Sequence, residues 1–64
     1  MTLADFLKVF DFEHFILNIT YFGSNTSDTY FWKSDVMRDY CAAIYTVIEI
    51  RPIDEFTIQV VIWN

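Results

Sequence analysis

One cysteine, one histidine, one glycine and one proline occur in 64 residues, and each scarcity closes off a kind of chemistry. Cys41 has no partner for an internal disulfide. His14 and Cys41 alone do not make a zinc site, which wants four ligands, usually in short paired spacings. Gly23 alone cannot build a glycine-rich phosphate loop. Bases are few as well: Lys8, Lys33, Arg38 and Arg51 are scattered, whereas phosphate binding draws on clustered Lys and Arg. No apolar run approaches the ~20 residues of a membrane span. The opening "MTLADFLKVF" carries Asp5 where a secretory leader needs a basic start and a long apolar run, so the chain reads as cytoplasmic. No cofactor and no metal are expected.

What is abundant is apolar and aromatic. Hydrophobic residues make up 55% of the chain, with seven Phe, four Tyr and two Trp. The length allows one domain, residues 1–64. Area scaling gives it a folded surface of ~4,300 Å², with about 60% of the extended surface buried. Such a core is marginal, and small domains often add disulfides, metals or self-association. Only self-association is open here. Nine acids against four bases leave a net charge of −5. That suits solubility, and it suits a basic partner such as a nucleic-acid-binding protein.

Hydrophobic spacing places six elements. Leu3, Phe6, Leu7 and Phe10 fall at i, i+3, i+4 and i+7, so residues 2–10 read as a helix, with Thr2 and Asp5 as a capping box. "FILNITYF" alternates over 15–22 and points Phe15, Leu17 and Ile19 inward. "GSNTSD" is a loop, and "TYFW" at 29–32 returns as a short strand. Residues 34–40 form a second helix, with Ser34 as N-cap and Val36, Met37 and Tyr40 as its apolar side. Residues 44–50 alternate Ile44, Thr46, Ile48, Ile50 against Tyr45, Val47, Glu49, Arg51. "RPIDE" turns the chain, and 56–63 comes back as the last strand. The expected architecture is α+β in the order αββαββ: a four-stranded antiparallel sheet with two short helices on one face.

Catalysis has little to work with. His14 follows Glu13 and reads as solvated, and a lone histidine is no constellation. Cys41, in "YCAAIY", reads as a buried structural thiol. Glu49-Ile50-Arg51 faintly resembles the acid-x-Lys element of metal-dependent nucleases, but a solvated pair on a strand face explains it. Tyr30, Trp32, Tyr45 and Trp63 would form a stacking platform for single-stranded nucleic acid if they shared one open sheet face. The chain is therefore expected not to be an enzyme.

The pieces Met1-Thr2-Leu3, a helix near Ser34-Asp35-Val36, Tyr45 to Ile50 and Thr57 to Ile62 resemble those of small proteins from phages and mobile elements of low-GC Gram-positive bacteria. Some similar phage proteins are anti-CRISPR inhibitors that bind type II effector nucleases. The resemblance implies a non-enzymatic inhibitor acting by protein–protein contact. Asp28, Asp35, Asp39, Asp54 and Glu55 would meet the partner's basic groove. The alternatives are a single-strand-binding or nicking module and a structural homo-oligomeric subunit.

The closing stretch "FTIQVVIWN" raises a separate issue. With Phe56, Ile58, Val60 and Ile62 turned inward, Val61 and Trp63 face the side that should meet water. A homodimer would hide them, with Tyr45, Val47, Val61 and Trp63 as the expected interface.

Overall fold

A computed structural model describes all of residues 1–64. Its elements run α1 (Leu3–Val9), β1 (Ile16–Tyr21), β2 (Ser27–Tyr30), α2 (Lys33–Asp39), β3 (Thr46–Pro52) and β4 (Thr57–Trp63). The α+β class and the αββαββ order are as the sequence leads one to expect. The sheet is mixed rather than antiparallel. Its strand order is β2-β1-β4-β3, and β1 and β4 pair in parallel, Ile16 beside Thr57 through Tyr21 beside Ile62. The two hairpins thus meet through their more apolar strands. Serine, aspartate and threonine in β2, and Glu49, Arg51 and Pro52 in β3, are left at the edges, where polar residues and proline discourage further pairing.

Register then decides the faces. Leu17, Ile19, Val60 and Ile62 turn to one side and are buried with Leu3, Phe6 and Leu7 of α1, Val36 of α2, and Tyr30 and Ala42. The other side carries Asn18, Thr20, Gln59, Val61 and Trp63. Alternation breaks in β3, where a bulge lies between Val47 and Glu49. One extra residue switches side-chain parity, so Tyr45 and Val47 pack against the core while Glu49 and Arg51 face outward. Without that shift, Glu49 would point into the core opposite Val60.

The helices begin differently. The Thr2 hydroxyl accepts from the Asp5 amide at 3.1 Å, and the Thr2 amide donates to the Asp5 carboxylate, which completes the expected capping box. The free first-turn amides of Leu3 and Ala4 donate to the carbonyls of Tyr45 (2.8 Å) and Ala42 (3.1 Å), which ties α1 to the start of β3. Helix α2 starts two residues earlier than its serine suggests. Trp32 is the N-cap, no side chain caps it, and Ser34 lies inside the first turn. Val36 is buried, but Met37 is 51% exposed, because so short a helix covers only a narrow stripe.

Cys41 is exposed. It occupies the turn before β3, and its neighbour Ala42 takes the buried place instead. No helix is long and apolar enough to cross a membrane. The accessible area is 4282 Å², close to the ~4,300 Å² that scaling assigns to this mass. The many exposed apolar side chains therefore reflect composition, not loose packing.

Candidate functional site: an aromatic pocket among acidic turns

Three chain connections meet at one end of the sheet. The α1–β1 turn is organised by Asp11. Its carboxylate accepts from the Glu13 amide (2.9 Å) and bonds the His14 ring at Nδ1 (2.6 Å), while its carbonyl accepts from the Phe15 amide (3.0 Å). The β3–β4 turn is organised in the same way by Asp54, whose Oδ1 accepts from the amides of Phe56 and Thr57, both at 2.8 Å. The two turns are joined where the Ile16 amide donates to the Phe56 carbonyl at 2.7 Å. The third connection, Phe31 and Trp32, links β2 to α2.

Together they line an open pocket of about 310 Å³. Its walls are Phe12 and Phe15 from the first turn, Phe31 and Trp32 from the β2–α2 joint, and Phe56 with Ile16 below. Glu13 and His14 are the polar lining residues, and neither Lys nor Arg contributes. Phe31, Trp32 and Phe56 are 55%, 67% and 60% exposed. Of the wall rings, only Phe12 and Phe15 make ring–ring contacts. One group gathers Phe6, Phe12 and Phe15 around Phe10. The other runs Tyr30–Tyr40–Tyr45–Tyr21–Trp63–Phe22 along the covered side and far end. The faces of Phe31, Trp32 and Phe56 are left unstacked.

The acids of the expected partner surface fall into two groups. Asp28, Asp35 and Asp39 surround Arg38, Tyr30 and Tyr40. The Tyr30 hydroxyl donates to Asp39 at 2.9 Å and the Tyr40 hydroxyl to Asp28 at 3.4 Å. Arg38 reaches both Asp35 and Asp39. Burial, and the bond given to Asp39, push the Tyr30 phenol above its ordinary range. Asp54 and Glu55 sit apart in the β3–β4 turn. Asp54 is occupied by its own turn, and Glu55 is exposed.

Register divides the expected dimer residues. Tyr45 and Val47 pack against the core, Val61 lies on the open face, and the Trp63 ring, at the end of β4, stacks on Tyr21. Val61 is half-buried because β4 is central, with Thr20 on one side and Glu49 on the other. The last strand offers no free edge. The stacking platform dissolves as well, since Tyr30 is buried on the covered face and the middle of the open face is polar. Glu49 and Arg51 do pair with each other on that face. Asp11, Glu13 and His14 bring ligand atoms within 4.8 Å of one another, but all three are exposed and Asp11 already holds His14. No family model, curated protein or solved structure matches the chain.

Sequence reasoning missed the pocket. "DFEHF" and "YFW" place aromatic residues at element junctions, but Phe15, Phe31 and Trp32 read as strand residues, whereas β1 begins at Ile16 and β2 ends at Tyr30. Volume and mutual placement required the fold.

The turn-forming bonds carry a pH dependence. The amide of its partner residue beside Asp5, the His14 ring beside Asp11, Arg38 beside Asp39 and the Phe56 amide beside Asp54 each hold a carboxyl below the ordinary 3.8. A folded pKa below the unfolded one adds stability that is complete above the unfolded value and lost as pH falls through the folded value. The melting temperature should therefore be insensitive to these groups from pH 7 to about 5 and fall below about pH 4. Circular-dichroism melts at pH 7, 5, 3 and 2 measure this, and an unchanged midpoint at pH 2 would contradict it.

Proposed function

We propose that the chain is a non-enzymatic binding domain of the cytoplasm that occupies a basic surface on another protein. The phage-type resemblance makes a type II effector nuclease of bacterial defence the concrete target. The observation that carries the reading is the pocket. Three unstacked aromatic rings stand more than half exposed between two turns that bear Asp11, Glu13, Asp54 and Glu55. At 150–250 Å² per aromatic side chain, Phe31, Trp32 and Phe56 leave roughly 300–400 Å² open, as much as the largest apolar patch of many monomers. Aromatic anchors with a charged rim are the usual makeup of a protein interface.

The test is DNA cleavage by a type II effector nuclease from a low-GC Gram-positive bacterium, with and without the chain. Inhibition is expected, weakening as salt rises because rim charges are screened within ~8–10 Å. Glu55→Lys should slow association more than it speeds dissociation. Asp54 is unsuited to reversal, since it builds the turn that carries Phe56. Absence of inhibition, or inhibition indifferent both to salt and to Glu55→Lys, would refute the reading.

Self-association is a second reading with its own observation. Phe22 and Trp63 are 57% and 48% exposed at the opposite end of the sheet. A dimer through that end should appear by light scattering coupled to size exclusion at low micromolar concentration. Trp63→Ala should return it to monomer, and a wild-type monomer there would exclude it.

A further inference from the structure

We infer that the pocket receives a single basic side chain, the ammonium or guanidinium of a Lys or Arg on the partner protein. The inference rests on the binding-domain reading for the source of the ligand, and on the pocket alone for its chemistry. Five aromatic rings contribute to the walls, and a cation over an aromatic face is attracted by the ring quadrupole, most strongly by Trp. The unstacked rings of Phe31, Trp32 and Phe56 leave such faces free. Glu13 is the one acidic residue of the lining. The His14 ring is turned to Asp11 through Nδ1 at 2.6 Å. Lys33 follows Trp32 in sequence but is not part of the lining.

Charge complementarity selects a cation over a neutral apolar side chain. The molecule carries −5, and the turns forming the walls hold four of its nine acids. A long aliphatic stem with a charged tip also fits the shape of the site. The stem lies against Phe and Ile, and the tip stays at the wet mouth beside Glu13. A neutral aliphatic guest would gain only the first of these contacts. Arginine adds a flat face that stacks on Trp32, so a guanidinium is expected to bind at least as well as an ammonium.

The experiment is an NMR titration at pH 7.5 with three blocked tripeptides, Ala-Arg-Ala, Ala-Lys-Ala and Ala-norleucine-Ala. The Trp32 indole N–H serves as reporter, assigned by its loss in Trp32→Phe. Arginine and lysine peptides should shift Trp32 and the amides of Phe31 and Phe56, and norleucine should bind about threefold or more weakly. Glu13→Gln should bring the basic peptides toward norleucine, and Trp32→Ala should remove the response while the amide spectrum stays folded. Equal binding of norleucine would overturn the cation assignment. Shifts spread over the acids around Arg38 rather than the pocket would overturn the site. Peptide binding without nuclease inhibition rejects that target and leaves the pocket standing. Inhibition that survives both Trp32→Ala and Glu13→Gln does the reverse.

Discussion

Leu17→Ala is expected to remove most of the stability of this domain. Leu17 is fully buried in β1, between Tyr30 of β2 and Ile58 of β4, and belongs to the cluster that α1 and α2 cover. Cutting a buried Leu to Ala costs about 2–5 kcal/mol through lost transfer energy and the cavity left behind. At 0.05–0.15 kcal/mol per residue, a domain of this size has only about 3–10 kcal/mol to lose. Just eleven residues are buried, so few neighbours are available to close the cavity. Urea unfolding followed by circular dichroism should show the variant with a greatly reduced midpoint or no folded baseline. Ile50→Ala is the control. It lies on the same face but is half exposed on edge strand β3, and should cost less than half as much. Similar losses at both positions would mean that the covered face is misassigned.

Asn18→Ala should be the most damaging change on the open face, and it tests the parallel pairing directly. Asn18 is 7% exposed and its side chain is fully engaged. Its amide donates to the Ser27 hydroxyl (3.1 Å) and the Thr29 hydroxyl (3.3 Å), and its carbonyl accepts from the Gln59 amide (2.9 Å). Thr29, Asn18, Gln59 and Arg51 stand in one row across all four strands. Removing a buried partner costs about 1–3 kcal/mol, because the groups left behind lose their bonds without regaining water. Part of that loss belongs to the bond with Gln59, so Asn18→Ala and Gln59→Ala should be less than additive, with a coupling of about 0.5–1.5 kcal/mol. The contact exists only if β1 lies beside β4 in the observed register. A double-mutant cycle in urea that adds to within ~0.3 kcal/mol would reject that pairing.

The pocket and the acid-sensitive turns share a physical origin. Asp11 and Asp54 each spend a carboxylate on closing a turn, and the closure projects aromatic side chains that have no room in the core. Phe15 and Phe56 are the products of this arrangement. Both lie at the sheet's end, where Phe15 meets only Phe10 at the close of α1 and Phe56 meets no other ring.

The local elements of this protein were readable without coordinates. Thr2 and Asp5 specify a cap by their own reach, the i, i+3, i+4, i+7 stripe of α1 specifies its buried face, and period-two alternation marks Leu17, Ile19, Val60 and Ile62 as core. These properties depend on residues within one or two turns of chain. Which strands adjoin was not readable, because alternation records that a face is buried and not what lies beside the strand. A hairpin can offer either of its strands to the other hairpin. Here the more apolar β1 and β4 meet, and α2 bridges the outer strands. That choice makes the sheet mixed, shelters Val61 and leaves the last strand without an edge. The parity of β3 was hidden for a related reason. One bulged residue sends Tyr45 inward and Glu49 outward although the sequence alternation is unbroken, and only the cross-strand register from Val47 to Glu49 reveals it. The pocket depends on the tertiary structure most of all, since Phe15, Trp32 and Phe56 are distant in sequence and share no period. They become one surface because three separate turns end at the same edge of the sheet.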